Sequence, residues 1–98
     1  MEEIVYLNNL YDCYKLLLTD KQREYFEDYY QNDLSLSEIA ENNDVSRNAI
    51  HKQVKETVRI LKNYESKLKL FEKNVKILKM IEKVDDPTLK KELERIIG

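Results

Sequence analysis

The run Ser35-Leu36-Ser37-Glu38-Ile39-Ala40-Glu41-Asn42-Asn43-Asp44-Val45-Ser46-Arg47-Asn48-Ala49-Ile50 decides the reading of this chain. Ser35 with Glu38 three residues later has the form of a capping box, in which each side chain accepts from the other's backbone amide. A short helix therefore opens here, carrying Ile39 and Ala40. The polar residues Glu41-Asn42-Asn43-Asp44 end it, and Ser46 stands as the N-cap of the next helix. Two helices joined by a turn of three or four residues make a helix-turn-helix. Ala40 is small enough to let the two helices approach closely. Val45 is expected to plug the space under the turn, with Ile50 and Val54 anchoring the second helix to the core.

Upstream, Thr19-Asp20-Lys21-Gln22 is a second capping box and starts a helix whose apolar members are Tyr25, Phe26, Tyr29 and Tyr30; it fades near Gln31-Asn32-Asp33. Before it, from about Glu3 to Leu18, the residues Ile4, Leu7, Leu10, Tyr11, Tyr14, Leu17 and Leu18 fall at helical spacing and form one broad apolar stripe. Five of the seven tyrosines lie between Tyr11 and Tyr30. Their expected role is packing between two short helices with hydroxyls at the rim, in preference to an exposed platform for stacking bases.

Composition supports an all-helical chain and excludes much else. Of 98 residues, 37% are charged and 42% hydrophobic, with a single glycine, Gly98, and a single proline, Pro87. Without internal glycine there is no phosphate-cradling loop and no dinucleotide fingerprint. His51 is the sole histidine and Cys13 the sole cysteine, so paired-histidine metal sites and internal disulfides are excluded. Nothing in the spacing joins Cys13 and His51 into a nucleophilic pair. Neither enzymatic activity nor a cofactor is expected. No stretch approaches a membrane span and no leader pattern opens the chain, so the expectation is a soluble cytoplasmic protein.

The formal net charge of −2 conceals a strong polarity. Residues 1–44 carry three basic and eleven acidic side chains, whereas residues 45–83 carry eleven basic and four acidic. The middle of the chain thus offers a surface for polyanions, and the acidic front discourages indiscriminate binding.

From Ser46 the helical pattern meets no breaker until Asp85-Asp86-Pro87, which predicts one long helix. Ile50, Val54, Thr57, Leu61, Tyr64, Leu68, Phe71, Val75 and Leu78 form a heptad seam along it, spanning roughly 40 Å at 1.5 Å per residue. Either the first and last helices fold back over this seam or a second chain covers it; a homodimer is the expectation. Lys55, Lys62, Lys69, Lys76 and Lys83 recur every seven residues beside Lys52, Arg59 and Lys73, making a basic ridge opposite the seam. Such a ridge can follow a phosphate backbone, or it can simply keep a long helix soluble; the former is favoured up to Arg59 and the latter beyond it. Asp86 and Pro87 suit the start of a final short helix with Leu89, Leu93, Ile96 and Ile97 as its apolar face, a candidate clasp.

Leu18-Thr19-Asp20-Lys21-Gln22-Arg23, Leu34-Ser35-Leu36-Ser37-Glu38-Ile39-Ala40 and Val45-Ser46-Arg47-Asn48-Ala49-Ile50 together resemble the fourth region of bacterial sigma factors. With the aromatic first helix and the long basic tail, the chain more closely resembles the YlxM family of small helix-turn-helix proteins, most specifically over residues 10–65. Two positions depart from the common helix-turn-helix pattern: Asp44 stands where glycine is usual and Asn43 where an apolar residue is usual. The resemblance implies a cytoplasmic regulatory protein linked to the signal recognition particle pathway. The expected architecture is an all-α, sigma-region-4-like helix-turn-helix bundle: a domain over residues 1–60, then a helical extension over 61–98 that serves dimerisation. Because a helix in the major groove reads base edges with its early residues, Arg47, Asn48 and His51 are the candidate base or phosphate readers. Lys52, Lys55 and Arg59 are the candidate phosphate anchors. The expected partner is nucleic acid, DNA ahead of RNA, with signal recognition particle components as further partners. Two alternatives share the fold: an interaction adaptor that binds an acidic protein without DNA, and a sigma-like promoter-binding subunit.

Overall fold

The computed structural model describes residues 2–98, which form six α-helices: α1 (Glu2–Tyr14), α2 (Asp20–Tyr30), α3 (Leu36–Asn42), α4 (Arg47–Leu68), α5 (Leu70–Ile81) and α6 (Pro87–Ile97). A 3-10 turn, Lys15–Leu17, follows α1. α4 is the axle: α1, α2 and α3 all pack on it, α1 reaches on to α5, and α6 folds back against α5. The result is an elongated molecule of 54 × 25 × 24 Å.

The helix starts follow from local chemistry. Thr19 accepts from the Gln22 amide at 3.2 Å while the Gln22 side chain accepts from the Thr19 amide at 2.9 Å. Ser35 and Glu38 repeat the arrangement at 3.1 and 3.0 Å. Ser46 accepts from the Ala49 amide at 3.1 Å, and Asp86 accepts from the Thr88 and Leu89 amides with Pro87 in the first turn. Each such cap contributes about 1 kcal/mol by satisfying amides that a helix leaves without partners.

Two buried clusters share the α4 face. Leu7, Leu10, Tyr14 and Leu18 meet Phe26 and Leu61 in one; Tyr25, Ile39 and Ala40 meet Ile50 and Val54 in the other. Burying each of Ile50, Val54 and Leu61 contributes roughly 1.5–3 kcal/mol. Thr57 lies in the same buried stripe with its hydroxyl donating to the Gln53 carbonyl at 2.9 Å, so no polar atom is orphaned there. Tyr11, Tyr14 and Tyr25 are core and the other tyrosines are half-buried: Tyr11 stacks on Phe26 at 4.5 Å between ring centroids, and Tyr14 is fully buried with its hydroxyl inside, not at the rim, bonded to Glu65.

Several expectations are corrected. The first apolar stripe is narrower than its pattern, because Ile4 lies at the exposed start of α1 and Leu17 sits in the 3-10 turn that rotates it outward. Val45 does not plug the turn: it is 42% exposed, and the buried cluster beside it is made by Tyr25, Ile39, Ala40, Ile50 and Val54 without it. The connection after α3 is nonetheless well built. Asp44 adopts the left-handed conformation at φ 54°, the Val45 amide donates to the Ala40 carbonyl at 3.1 Å, and the Asp44 amide donates to the Glu41 carbonyl at 3.4 Å. This is a Schellman closure with aspartate in the position that favours glycine. Asn43 is also satisfied, donating to the Ile39 carbonyl at 2.8 Å and accepting from Lys21 at 3.3 Å.

The largest correction concerns the long helix. It breaks at Lys69, which takes the left-handed conformation at φ 56°, ψ 32° and separates α4 from α5. The cause lies in tertiary contacts. Glu65 of α4 is buried, and its carboxylate accepts from the Phe71 and Glu72 amides at 3.1 Å each and from the Tyr14 hydroxyl at 2.6 Å. Tyr14 in turn accepts from the Leu70 amide at 3.0 Å. The first three amides of α5 are therefore capped by residues outside it, offsetting the roughly 1–2 kcal/mol that a side-chain-bearing residue loses in the left-handed region. The heptad seam is accordingly not one straight stripe. It is buried as far as Leu61, whereas Leu68 and Leu78 are 45% and 41% exposed.

Candidate nucleic-acid interface

The first turns of α4 rest on the core through Ile50 and Val54, which fixes the face they present outward. Arg47, Asn48, His51, Lys52, Lys55 and Arg59 are all exposed. At 3.6 residues per turn they fall within an arc of about 140°, on a stretch roughly 18 Å long. The structure thus brings all six predicted residues onto one accessible surface beside the stripe that Ile50, Val54, Thr57 and Leu61 bury, with Arg47 at the edge nearest that stripe and exposed in the first turn.

Their electrostatic states differ. Among the described residues, the side chains of Arg47, Asn48, His51, Lys52 and Lys55 form no ion pair or side-chain hydrogen bond. Arg59 is engaged: its guanidinium grips Glu56 through both carboxylate oxygens, at 2.9 Å from Nε and 2.5 Å from a terminal nitrogen. The hydrogen bonds and the opposite charge raise the Arg59 pKa and hold the Glu56 carboxyl below its ordinary value. A phosphate approaching Arg59 must therefore compete with Glu56 in open solvent, where such a pair is weak.

The basic ridge divides with the helix. Lys52, Lys55, Arg59 and Lys62 belong to α4, and Lys73, Lys76 and Lys83 lie beyond the break at Lys69. Lys62 pairs with Glu3 at 2.9 Å and Lys76 with Glu72 at 3.4 Å, so a continuous eight-charge ridge is not formed.

Similarity to known proteins assigns the family. Residues 1–97 match the family described as "Putative helix-turn-helix protein, YlxM / p13 like", UPF0122. The chain belongs to the UPF0122 family. A UPF0122 protein of Fusobacterium nucleatum is 45% identical over 99% of this chain and 94% of its own length. UPF0122 proteins of Halalkalibacterium halodurans and of a Geobacillus species are each 43% identical, covering 99% and 93% of this chain and 93% and 83% of their own lengths. As a UPF0122 member the chain is an all-α bundle, and among its described residues no helix is long and apolar enough to cross a membrane.

Two residues without a site role in the sequence pattern border this surface in the UPF0122 chain. Lys21, part of a capping box by sequence, reaches from α2 to Asn43 and to Glu24 at 3.1 Å, and stands 5.7 Å from the Tyr25 ring centroid. It lines a shallow depression with Val45, Ala49 and Gln53 beside the start of α4. Glu56 is the acidic residue that sets the state of Arg59; its spacing of three from Arg59 is the signal in the sequence that could have found it.

Proposed function

We propose that this protein is a cytoplasmic helix-turn-helix regulator that binds nucleic acid, duplex DNA ahead of RNA, through the exposed arc of α4. One observation carries the reading: six polar and basic side chains share one accessible face at the start of a helix whose other face is locked into the core. α3, the connection at residues 43–46 and α4 form the helix-turn-helix, with α4 as the recognition helix of a sigma-region-4-like unit. Arg47, Asn48 and His51 read base edges or adjacent phosphates, and Lys52, Lys55 and Arg59 hold the backbone. The YlxM resemblance supports a role for this binding in the signal recognition particle pathway.

The test is duplex-DNA and structured-RNA binding as a function of salt. Lys52→Glu with Lys55→Glu is expected to weaken binding and to reduce the salt slope by about one for each phosphate no longer neutralised. An absence of salt-sensitive binding to either polymer at low ionic strength overturns the proposal. The same reading holds that the chain dimerises through residues 61–98, where Leu70, Ile77, Met80, Leu89 and Ile96 of α5 and α6 are left exposed. Light scattering that returns a monomeric mass at micromolar concentration removes the dimer from the proposal.

A further inference from the structure

The bend between α4 and α5 creates a groove that contains none of the six proposed recognition residues and begins at Lys62, one turn beyond Arg59. It has a volume of about 560 Å³, and Tyr6, Phe71 and Val75 supply its apolar part. Lys62, Lys69, Lys76 and Lys79 also line it. Lys62 and Lys76 are tied to Glu3 and Glu72, while Lys69 and Lys79 form no ion pair among the described residues. Such a site matches a ligand with an apolar ridge and negatively charged flanks.

We propose that this groove docks an acidic amphipathic helix of a partner protein, with apolar side chains against Phe71 and Val75 and carboxylates beside Lys69 and Lys79. A polyanion fits less well. Tyr6 meets Phe71 edge-on at 5.8 Å, which leaves the pair without two parallel faces for a base. A second copy of this chain also fits less well, because the apolar faces of its acidic helices α1 to α3 are already spent in the core. Its α6 sets Lys90, Lys91 and Arg95 against Glu92 and Glu94.

The probe is a fluorescent synthetic peptide of about 18 residues, long enough to sample helix, with leucines at helical spacing and glutamates on the flanks. A companion peptide carries lysine for every glutamate, and single-stranded oligouridylate serves as the polyanion. The full-length protein is expected to bind the acidic peptide at least about tenfold more tightly than the basic one. Lys69→Glu with Lys79→Glu, both on the surface, is expected to lower that affinity about tenfold, as is Val75→Asp. Arg47→Glu with Lys52→Glu leaves it unchanged. Circular dichroism of each variant confirms the fold, and the surface pair keeps the test decisive if Val75→Asp unfolds. The proposal is overturned if the acidic peptide shows no saturable binding or no preference over the basic one, or if Lys69→Glu with Lys79→Glu abolishes oligouridylate binding and leaves peptide binding intact.

Discussion

The Tyr14 hydroxyl on α1 donates to Glu65 Oε1 on α4 at 2.6 Å, and between them these two residues cap the first three amides of α5. One buried pair therefore joins three helices and sets the bend of the molecule. Removing the carboxylate leaves a hydroxyl and two amides without their acceptor in a buried setting, which is costlier than the bonds' net contribution.

Glu65→Ala is accordingly expected to destabilise the fold by about 2–4 kcal/mol, and Tyr14→Phe by about 1–2 kcal/mol. Glu65→Gln, which retains an oxygen acceptor, falls between wild type and Glu65→Ala. Urea unfolding followed by circular dichroism gives the three values. A Glu65→Ala variant as stable as wild type contradicts the capping role.

Burial, and then the hydrogen bond to Glu65, raise the Tyr14 pKa from 10 to about 12, and Tyr11, buried and bonded to Glu27, is raised as well. A tyrosine with a raised native pKa binds its proton more tightly when folded. Its contribution is fully present below pH 10 and is lost as pH climbs through the native value. Stability is thus expected to fall between pH 10 and about 12, with a shallower decline in Tyr14→Phe. Unfolding titrations across that range, with tyrosinate absorbance as the second signal, check both statements.

Lys69→Gly distinguishes a bent from a straight α4–α5 by the sign of its effect. Glycine in a continuous helix costs about 1 kcal/mol, whereas at φ 56° it relieves strain that lysine bears. The expected outcome is a rise in stability of up to about 1 kcal/mol in thermal or urea unfolding. A loss of similar size would indicate a straight helix.

That break marks the boundary of what the sequence could tell. The capping boxes at Thr19 and Ser35, the N-caps at Ser46 and Asp86, and the buried positions Ile50, Val54 and Leu61 were legible because each rests on residues within one or two helical turns. Lys69 carries no local signal: neither glycine nor proline stands near it, and its neighbours fit a helix. The bend depends on Tyr14 and Glu65, which are 51 residues apart in sequence. Val45 was misplaced for a related reason. The buried cluster at this end of α4 is completed by Tyr25, which comes from another helix, and Val45 is left outside it. All six candidate interface residues proved exposed because their spacing sets them outside the buried stripe of the same helix, while the engagement of Arg59 by Glu56 emerged only from side-chain placement.

The Arg59–Glu56 pair supplies the last prediction. If Arg59 holds a phosphate, Glu56 both competes for its guanidinium and adds a negative charge at the edge of the proposed nucleic-acid surface. Glu56→Gln removes that charge. It is expected to strengthen duplex-DNA binding by a few-fold at low salt, with the gain shrinking as ionic strength rises and the Debye length falls to about 8 Å in physiological salt. The helix itself loses only a few tenths of a kcal/mol at most, since pairs of this spacing on a solvated surface contribute little. Arg59→Ala in the same background is expected to erase most of the gain. If Glu56→Gln and Arg59→Ala each act to the same extent alone and together, the two residues are independent and Arg59 makes no phosphate contact that Glu56 restrains.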